Sequence, residues 1–444
     1  MALSDQTTSA LRRILIERQS KGRVPGLAAG VARHGDLAWQ EGVGSADLDD
    51  PARPPGADDQ FLIASITKTF TAVMVMQLRD EGRLSLDDTL EKLLPEVSHE
   101  GITVRQMLSH SSGMQREPVG DVWETLQLPG REDLVAGFAE AERVLRPHER
   151  WHYSNLMYAL LGEVIARLDE VEWYDALRRR ILDPLELRRT TLGFEGARTK
   201  GYFVPPHTDV PLPEPVPDLK GTAACGGLAS TLQDMATWSG FLASPEESVL
   251  SGDTLEEMCQ PQILMDTDRW QGAMGLGLFL VRSGTRVYAG HTGGMPGQIS
   301  GMFTHRESGT GGVVLMNASV SPDPAAFAVD LADHVLDNEP EEPEVWRPGT
   351  SVPDELAELA GRWYSEGQPF DFSVRQGRLE ARGASLPEHK PSSLFEQIGD
   401  DLYRTVAGRE RGELLRVTRD EDGQVVKMNW ATYLVTRDPR PFGS

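Results

Sequence analysis

Ser65 and Lys68 stand three residues apart in the stretch Phe61-Leu62-Ile63-Ala64-Ser65-Ile66-Thr67-Lys68. If Ser65 opens a helix, that spacing puts a hydroxyl and an amine on one face, a turn apart. A serine hydroxyl is a poor nucleophile at neutral pH and needs a neighbouring base. A desolvated lysine, or one near another cation, loses proton affinity and can be that base. A helix N-terminus also favours developing negative charge. S-x-x-K alone is common on capped surface helices, so its weight comes from two further motifs.

Tyr153-Ser154-Asn155 directly precedes an apolar helical stripe, Leu156, Leu160, Leu161, Val164, Ile165 and Leu168. A tyrosine held beside an ammonium can shuttle protons. An asparagine amide can accept from the lysine and donate to a substrate carbonyl. The third motif is His291-Thr292-Gly293-Gly294 in a strand context. A threonine hydroxyl and a histidine cation suit an anionic substrate group. The glycines let a substrate lie against the strand, where a backbone N–H can face an oxyanion.

The order S-x-x-K, Y-x-N, H-T-G resembles the penicillin-recognising serine hydrolases: DD-peptidases, class C β-lactamases, D-aminopeptidases and related esterases. The stretches 81–88, 102–113, 153–162 and 290–297 resemble the same family, and the likeness covers about residues 10–335. It implies Ser65 as nucleophile, Lys68 as its base and Tyr153 as proton shuttle. It also implies that Asn155, His291 and Thr292 line the site, with Gly293 and Gly294 on the strand. The N–H groups of Ser65 and Gly294 would form an oxyanion hole. The implied reaction is acyl transfer through a covalent serine ester, with no cofactor and no metal. The expected substrate is a small peptide, with D-residues admitted, or a short acyl ester. A penicillin-like lactam or a D-Ala-D-Ala peptide is the alternative. The sequence departs from the family pattern in two places. His291 replaces a lysine common in β-lactamases, and Arg146-Pro147-His148-Glu149 stands where a Pro-Gly pair is frequent. With His291 as the titratable cation of the site, a substrate with a free amine is favoured over one with a free carboxylate.

Two rivals belong to other classes. His148-Glu149-Arg150-Trp151-His152 matches the H-E-x-x-H zinc-peptidase pattern. That chemistry needs both histidines on one continuous helix and a third ligand, but Pro147 and the Tyr153 turn flank the stretch. The other rival is a binding protein that kept the fold without the reaction, against which the intact motif set counts.

These motifs need elements to position them. Apolar spacing through Phe70, Val73, Met74 and Leu78 predicts a helix ending at Gly82, and Leu11, Ile14 and Leu15 a short first helix. Residues 26–31 and 37–44 read as a hairpin turning at His34-Gly35-Asp36. Thr103 reads as an N-cap and His110 as a hydrogen-bonded structural histidine. Residues 130–190 read as mostly helical, and the proline-rich 203–219 as an extended loop lining a cleft. A helix starts near Leu232, capped by Ser230 or Thr231, and strands follow at 275–281, 286–289, 297–304 and 311–316. Gly275-Leu276-Gly277 lacks the strand–turn–helix setting of a nucleotide loop.

The expected fold is therefore α+β. A β-lactamase-like antiparallel sheet flanked by helices, with an all-helical subdomain, spans 1–337. A proline-rich acidic linker spans 338–353, and a small antiparallel barrel, resembling a lipocalin, spans 354–444. Its strand candidates are 361–364, 370–375, 379–381, 395–398, 402–406, 414–418, 425–430 and 433–436. The formal net charge of −24 argues against nucleic acid and anionic membranes as partners. Two cysteines, Cys225 and Cys259, make no disulfide framework, and no apolar leader follows Met-Ala-Leu-Ser-Asp-Gln, so a reducing, cytoplasmic setting is expected.

Overall fold

In the computed structural model, residues 3–97, 99–340, 342, 345–387 and 390–441 are described. Met1 and Ala2 of the leader reading, Pro343 of the linker reading and the last three residues of the barrel range lie outside them. The chain forms two compact units, Met1–Glu341 and Glu342–Ser444.

The first unit is built on an eight-stranded antiparallel sheet in the order Asp36–Gly44, Gly26–Arg33, Thr310–Met316, Gln298–His305, Arg286–Met295, Phe279–Ser283, Gly272–Met274, Ile263–Leu264. Thr310–Met316 is buried along its whole length. Its Val314 and Met316 join one core, its Val313 and Leu315 the other. This is why the strand reads as a continuous apolar run rather than an alternating one. The terminal helices Asp5–Gly22 and Pro324–Asn338 cover one face through Leu11, Leu15, Phe327 and Leu331. Leu232–Ala243, capped by Thr231, covers the other face with the helical region.

The helix Thr67–Asp80 is the centre of that region. Every residue from Thr67 to Leu78 is buried, as expected of a helix with apolar neighbours all round. Phe70 stacks on Trp238 at 3.9 Å, and the Trp238 indole donates to Thr69 Oγ1 at 2.9 Å. At its end Gly82 turns left-handed at φ +71°, with Gly82 N donating to Arg79 O and Arg83 N to Leu78 O, a Schellman stop.

Several expectations need correction. Ser65 does not open the α-helix itself; it sits in a 3-10 turn, Ala64–Ile66, that runs into it. The first helix is long, Asp5–Gly22. Residues 141–154 contain no helix, so 130–190 is helical only in part. The strand expected at 275–281 begins at Phe279, and the one expected to stop at Ala289 runs on to Met295, carrying the His-Thr-Gly-Gly motif.

In the second unit all eight expected strands are present and close into a barrel, Tyr364 and Ser365 pairing with Thr436 and Val435. Trp363, Phe372, Phe395, Met428 and Trp430 are buried and pack as one cluster. This barrel therefore has a side-chain core. Among the described residues no helix is long and apolar enough to cross a membrane.

The far ends of the two helices that bear the Ser-Lys and Tyr-Asn motifs are tied by charge. Asp169, almost fully buried, accepts from Arg83, Arg179 and Arg180, and Arg180 also holds Glu81. Burial alone would raise the Asp169 carboxyl; the Arg180 and Arg83 hydrogen bonds outweigh it and hold it far below the usual range. Asp169→Asn leaves three guanidinium groups around a neutral amide and should lower stability by about 3 kcal/mol. Urea midpoints check this, and a loss below 1 kcal/mol would show that the network is not a structural tie.

Candidate active site

The turn that bears Ser65 is clamped from two sides. Ile63 N donates to Leu228 O at 2.9 Å, and Ile63 O accepts from Ser300 Oγ at 2.9 Å. A Cβ at Gly293 would lie 2.1 Å from Ile63 O, so only glycine lets the strand rest on this turn. Ala64, just before Ser65, holds φ +46°, a strained value for a residue with a Cβ.

Lys68 is fully buried. Its Nζ lies 3.1 Å from Ser65 Oγ, 2.7 Å from Asn155 Oδ1 and 2.6 Å from Cys225 O. The Cys225 carbonyl arrives on a 3-10 helix, Lys220–Cys225, packed on the Asn155–Asp169 helix. Gly162 permits this approach, since a Cβ there would fall 2.3 Å from Ala224 Cβ.

Tyr153 and Asn155 are set by backbone bonds to neighbouring loops. Ser154 caps the helix through Met157 N, and its Oγ donates to Gln115 O at 2.7 Å. Asn155 N donates to Arg116 O at 2.7 Å. Ser154 N donates to His110 Nδ1 at 3.1 Å, and His152 N to His110 O at 2.9 Å. The Tyr153 ring is enclosed. The His110 ring lies tilted against it at 4.2 Å, Lys68 Nζ and the Arg116 guanidinium lie 4.9 and 4.8 Å from its centroid, and His291 lies at 6.1 Å. Burial, then the charge of Lys68, pushes the His110 imidazole well below its ordinary range.

His291 overturns its expected role as a titratable cation. It is buried, stacked on Phe279 at 4.2 Å, with Nδ1 2.5 Å from Thr292 O. Burial, with the charge of Lys68 adding to it, pushes its pKa down to about 3. A neutral imidazole at physiological pH holds no carboxylate by charge. Thr292 is half-buried and Gly294 exposed, with open space where a Cβ would be. The strand pairs with Phe279–Ser283 only as far as Gly290. From His291 onward that edge has no strand partner among the described residues, leaving backbone groups open to a ligand.

Two groups escaped the sequence. Glu117 accepts from Asn155 Nδ2 at 2.7 Å and lines the same cleft as Ser65. Arg116 lies over Tyr153 and 3.4 Å from Glu117. No motif marks either, because loop contact rather than spacing brings them in. The H-E-x-x-H stretch falls in a turn, with His148 at φ +59° and His148 N donating to Ser111 O. Its histidines share no helix face, so the pattern loses the geometry that zinc-peptidase chemistry needs. Burial raises the Cys225 thiol, which makes it a poor competing nucleophile.

The Beta-lactamase family profile matches residues 11–337. The chain belongs to this family. A domain of unknown function, DUF7586, matches residues 352–437. "Beta-lactamase-like protein 2" of Dictyostelium discoideum is 29% identical over 262 residues, 55% of this chain and 47% of that protein. The chain spans about half the length of the curated relatives it matches. A D-stereospecific amidohydrolase from Streptomyces sp. is 26% identical, with TM-score 0.62, over 74% of this chain and 98% of that one. The octameric penicillin-binding protein homologue from Pyrococcus abyssi shares the fold, at 24% identity and TM-score 0.66, over 98% of this chain and 100% of that one. The Beta-lactamase family is one of serine hydrolases.

The neutral His291 predicts an acid-labile fold. An unfolded chain protonates that imidazole near ~6.5, whereas the folded one resists to about 3. Between those values the unfolded state binds the extra proton, so stability is lost as pH falls. From pH 7 to 4.5, His291→Gln should lose less stability than the native protein by roughly 2–3 kcal/mol, read from urea midpoints. Equal losses would show the imidazole to be charged when folded.

Proposed function

We propose that this protein is a serine amidohydrolase acting through an acyl-enzyme on small substrates that carry a free amine. The observation that carries it is the buried Lys68 amine, 3.1 Å from Ser65 Oγ with two other acceptors fixed around it. Asn155 Oδ1 and Cys225 O accept from this amine and hold it facing Ser65 Oγ, the hydroxyl whose proton it takes in the reaction.

Ser65 Oγ attacks the substrate carbonyl carbon as Lys68 takes its proton. The Ser65 and Gly294 N–H groups receive the oxyanion. Tyr153, beside Lys68, passes the proton to the leaving nitrogen, and the amine departs. Water then attacks the ester along the reverse proton path. Asn155 keeps one amide hydrogen for the substrate, its other donated to Glu117.

Glu117 supports the choice of substrate. Its Oε1 is taken by Asn155 and Arg116, which leaves Oε2 for a substrate ammonium. The Streptomyces neighbour, named as a D-stereospecific amidohydrolase, agrees with this class. The neutral His291 weighs against a free carboxylate as the recognised group.

Two measurements test this. A fluorophosphonate should add to Ser65 and to nothing in Ser65→Ala, by intact mass and peptide mapping; an adduct elsewhere sinks the mechanism. D-Amino-acid p-nitroanilides should exceed their N-acetyl forms in kcat/KM by roughly 10–100-fold, the worth of one charge-assisted hydrogen bond. Glu117→Gln should remove most of that preference. Equal turnover of acetylated and free substrates would reject the amine reading and leave the serine chemistry standing.

A further inference from the structure

The cleft at Ser65 is narrow, about 20 Å³, lined by Ser65, Glu117, Asn155, Leu219, Gly294 and Met295 among others. It has room for a reacting carbonyl and little else. A second cavity of about 200 Å³ shares Leu219 and Met295 with it. Its lining is mostly apolar, including Leu62, Leu192, Val216, Leu219 and Met295. Gly226, on the same wall, lies close to the Ser65 turn: a Cβ there would be 2.9 Å from Met295 Cε and 3.7 Å from the Ala64 carbonyl carbon.

Two of these residues are anomalous as fold elements. Leu192 is 45% and Val216 56% exposed, yet both face this one cavity. Single exposed apolar residues need no explanation, but apolar groups gathered on a concave site beside a reactive centre mark a ligand surface. Val216 belongs to the proline-rich stretch, where Pro215 and Pro217 flank it and restrict its backbone. The wall is thus pre-set rather than formed on binding.

We propose that this cavity is the acyl side-chain subsite, taking a branched aliphatic or benzyl group. The assignment rests on Ser65 as the nucleophile. At ~30 Å³ for each water-sized group, the space holds roughly six or seven non-hydrogen atoms. An acyl group of that size crosses from Ser65 past Met295 and buries its end against Leu62 and Leu192. Smaller acyl groups leave the cavity to water and lose that contact.

The test uses the full chain and p-nitrophenyl esters of acetate, 3-methylbutanoate and phenylacetate, each corrected for its alkaline hydrolysis rate. The leaving group is constant, so the kcat/KM ratios report the acyl side chain alone. The native protein should favour 3-methylbutanoate over acetate by roughly tenfold or more, at about fourfold for each methylene buried. Val216→Glu and Leu192→Glu should each cut that ratio about fivefold, since a carboxylate then faces an apolar chain. Fluorophosphonate labelling of Ser65 counts the folded sites in each variant. Unchanged ratios in variants that label fully would overturn the proposal. A second arm is independent of the chemistry: binding of 3-methylbutanamide to Ser65→Ala by NMR titration, with and without Val216→Glu. Weaker binding in the double variant supports the cavity even if no ester acylates the protein, an outcome that would refute only the serine reading. Equal binding in both overturns the cavity assignment.

Discussion

One buried amine constrains the whole first unit. A lysine head removed from water costs several kcal/mol unless its hydrogen bonds are replaced. The protein replaces them with one acceptor from each of three segments distant in sequence: Ser65, Asn155 and the Cys225 carbonyl. Any shift in the turn, the Asn155 helix or the Lys220–Cys225 segment strips a partner from that amine. The geometry that suits nucleophilic chemistry is thus also the geometry that lets Lys68 be buried.

The rest of the helical region keeps those three segments in register. Phe70 against Trp238 and the Trp238 indole on Thr69 fix the Lys68 helix against the sheet-covering helix Leu232–Ala243. At the opposite end, Asp169 and its arginines tie the Lys68 helix to the Asn155 helix. Aromatic packing thus holds the Lys68 end of these helices, where Arg116 and Glu117 supply local charge, and ion pairing holds the far end.

The local field also differs from the global charge. The chain carries −24 overall, yet around Tyr153 the charged neighbours are Lys68 and Arg116, and the two buried histidines are held neutral chiefly by desolvation. Glu117 is the carboxylate that enters this setting, paired to Asn155 and Arg116. Net charge therefore says nothing of what the cleft recognises; a few groups within hydrogen-bond reach do.

Much was legible in the sequence because short-range rules set it. Ser65 to Lys68 is a one-turn spacing. Thr103 and Thr231 are caps with their partners three residues on. The eight barrel strands announce themselves by alternation and turn residues. Ser65, Lys68, Tyr153, Asn155 and the His-Thr-Gly-Gly strand could be named because each sits in its own local pattern. Folding alone decided what depends on contact between patterns. His291 reads as a cation on paper, and only its burial against Phe279 and beside Lys68 keeps it neutral. H-E-x-x-H has the spacing of a helix, but hydrogen bonds to Ser111 and His110 draw it out as a loop. Glu117 and the Cys225 carbonyl carry no local signal, because a loop glutamate and a backbone oxygen acquire meaning only from what lies across the cleft. Spacing along the chain fixes which groups share an element; desolvation and cross-chain approach fix their charge and their partners.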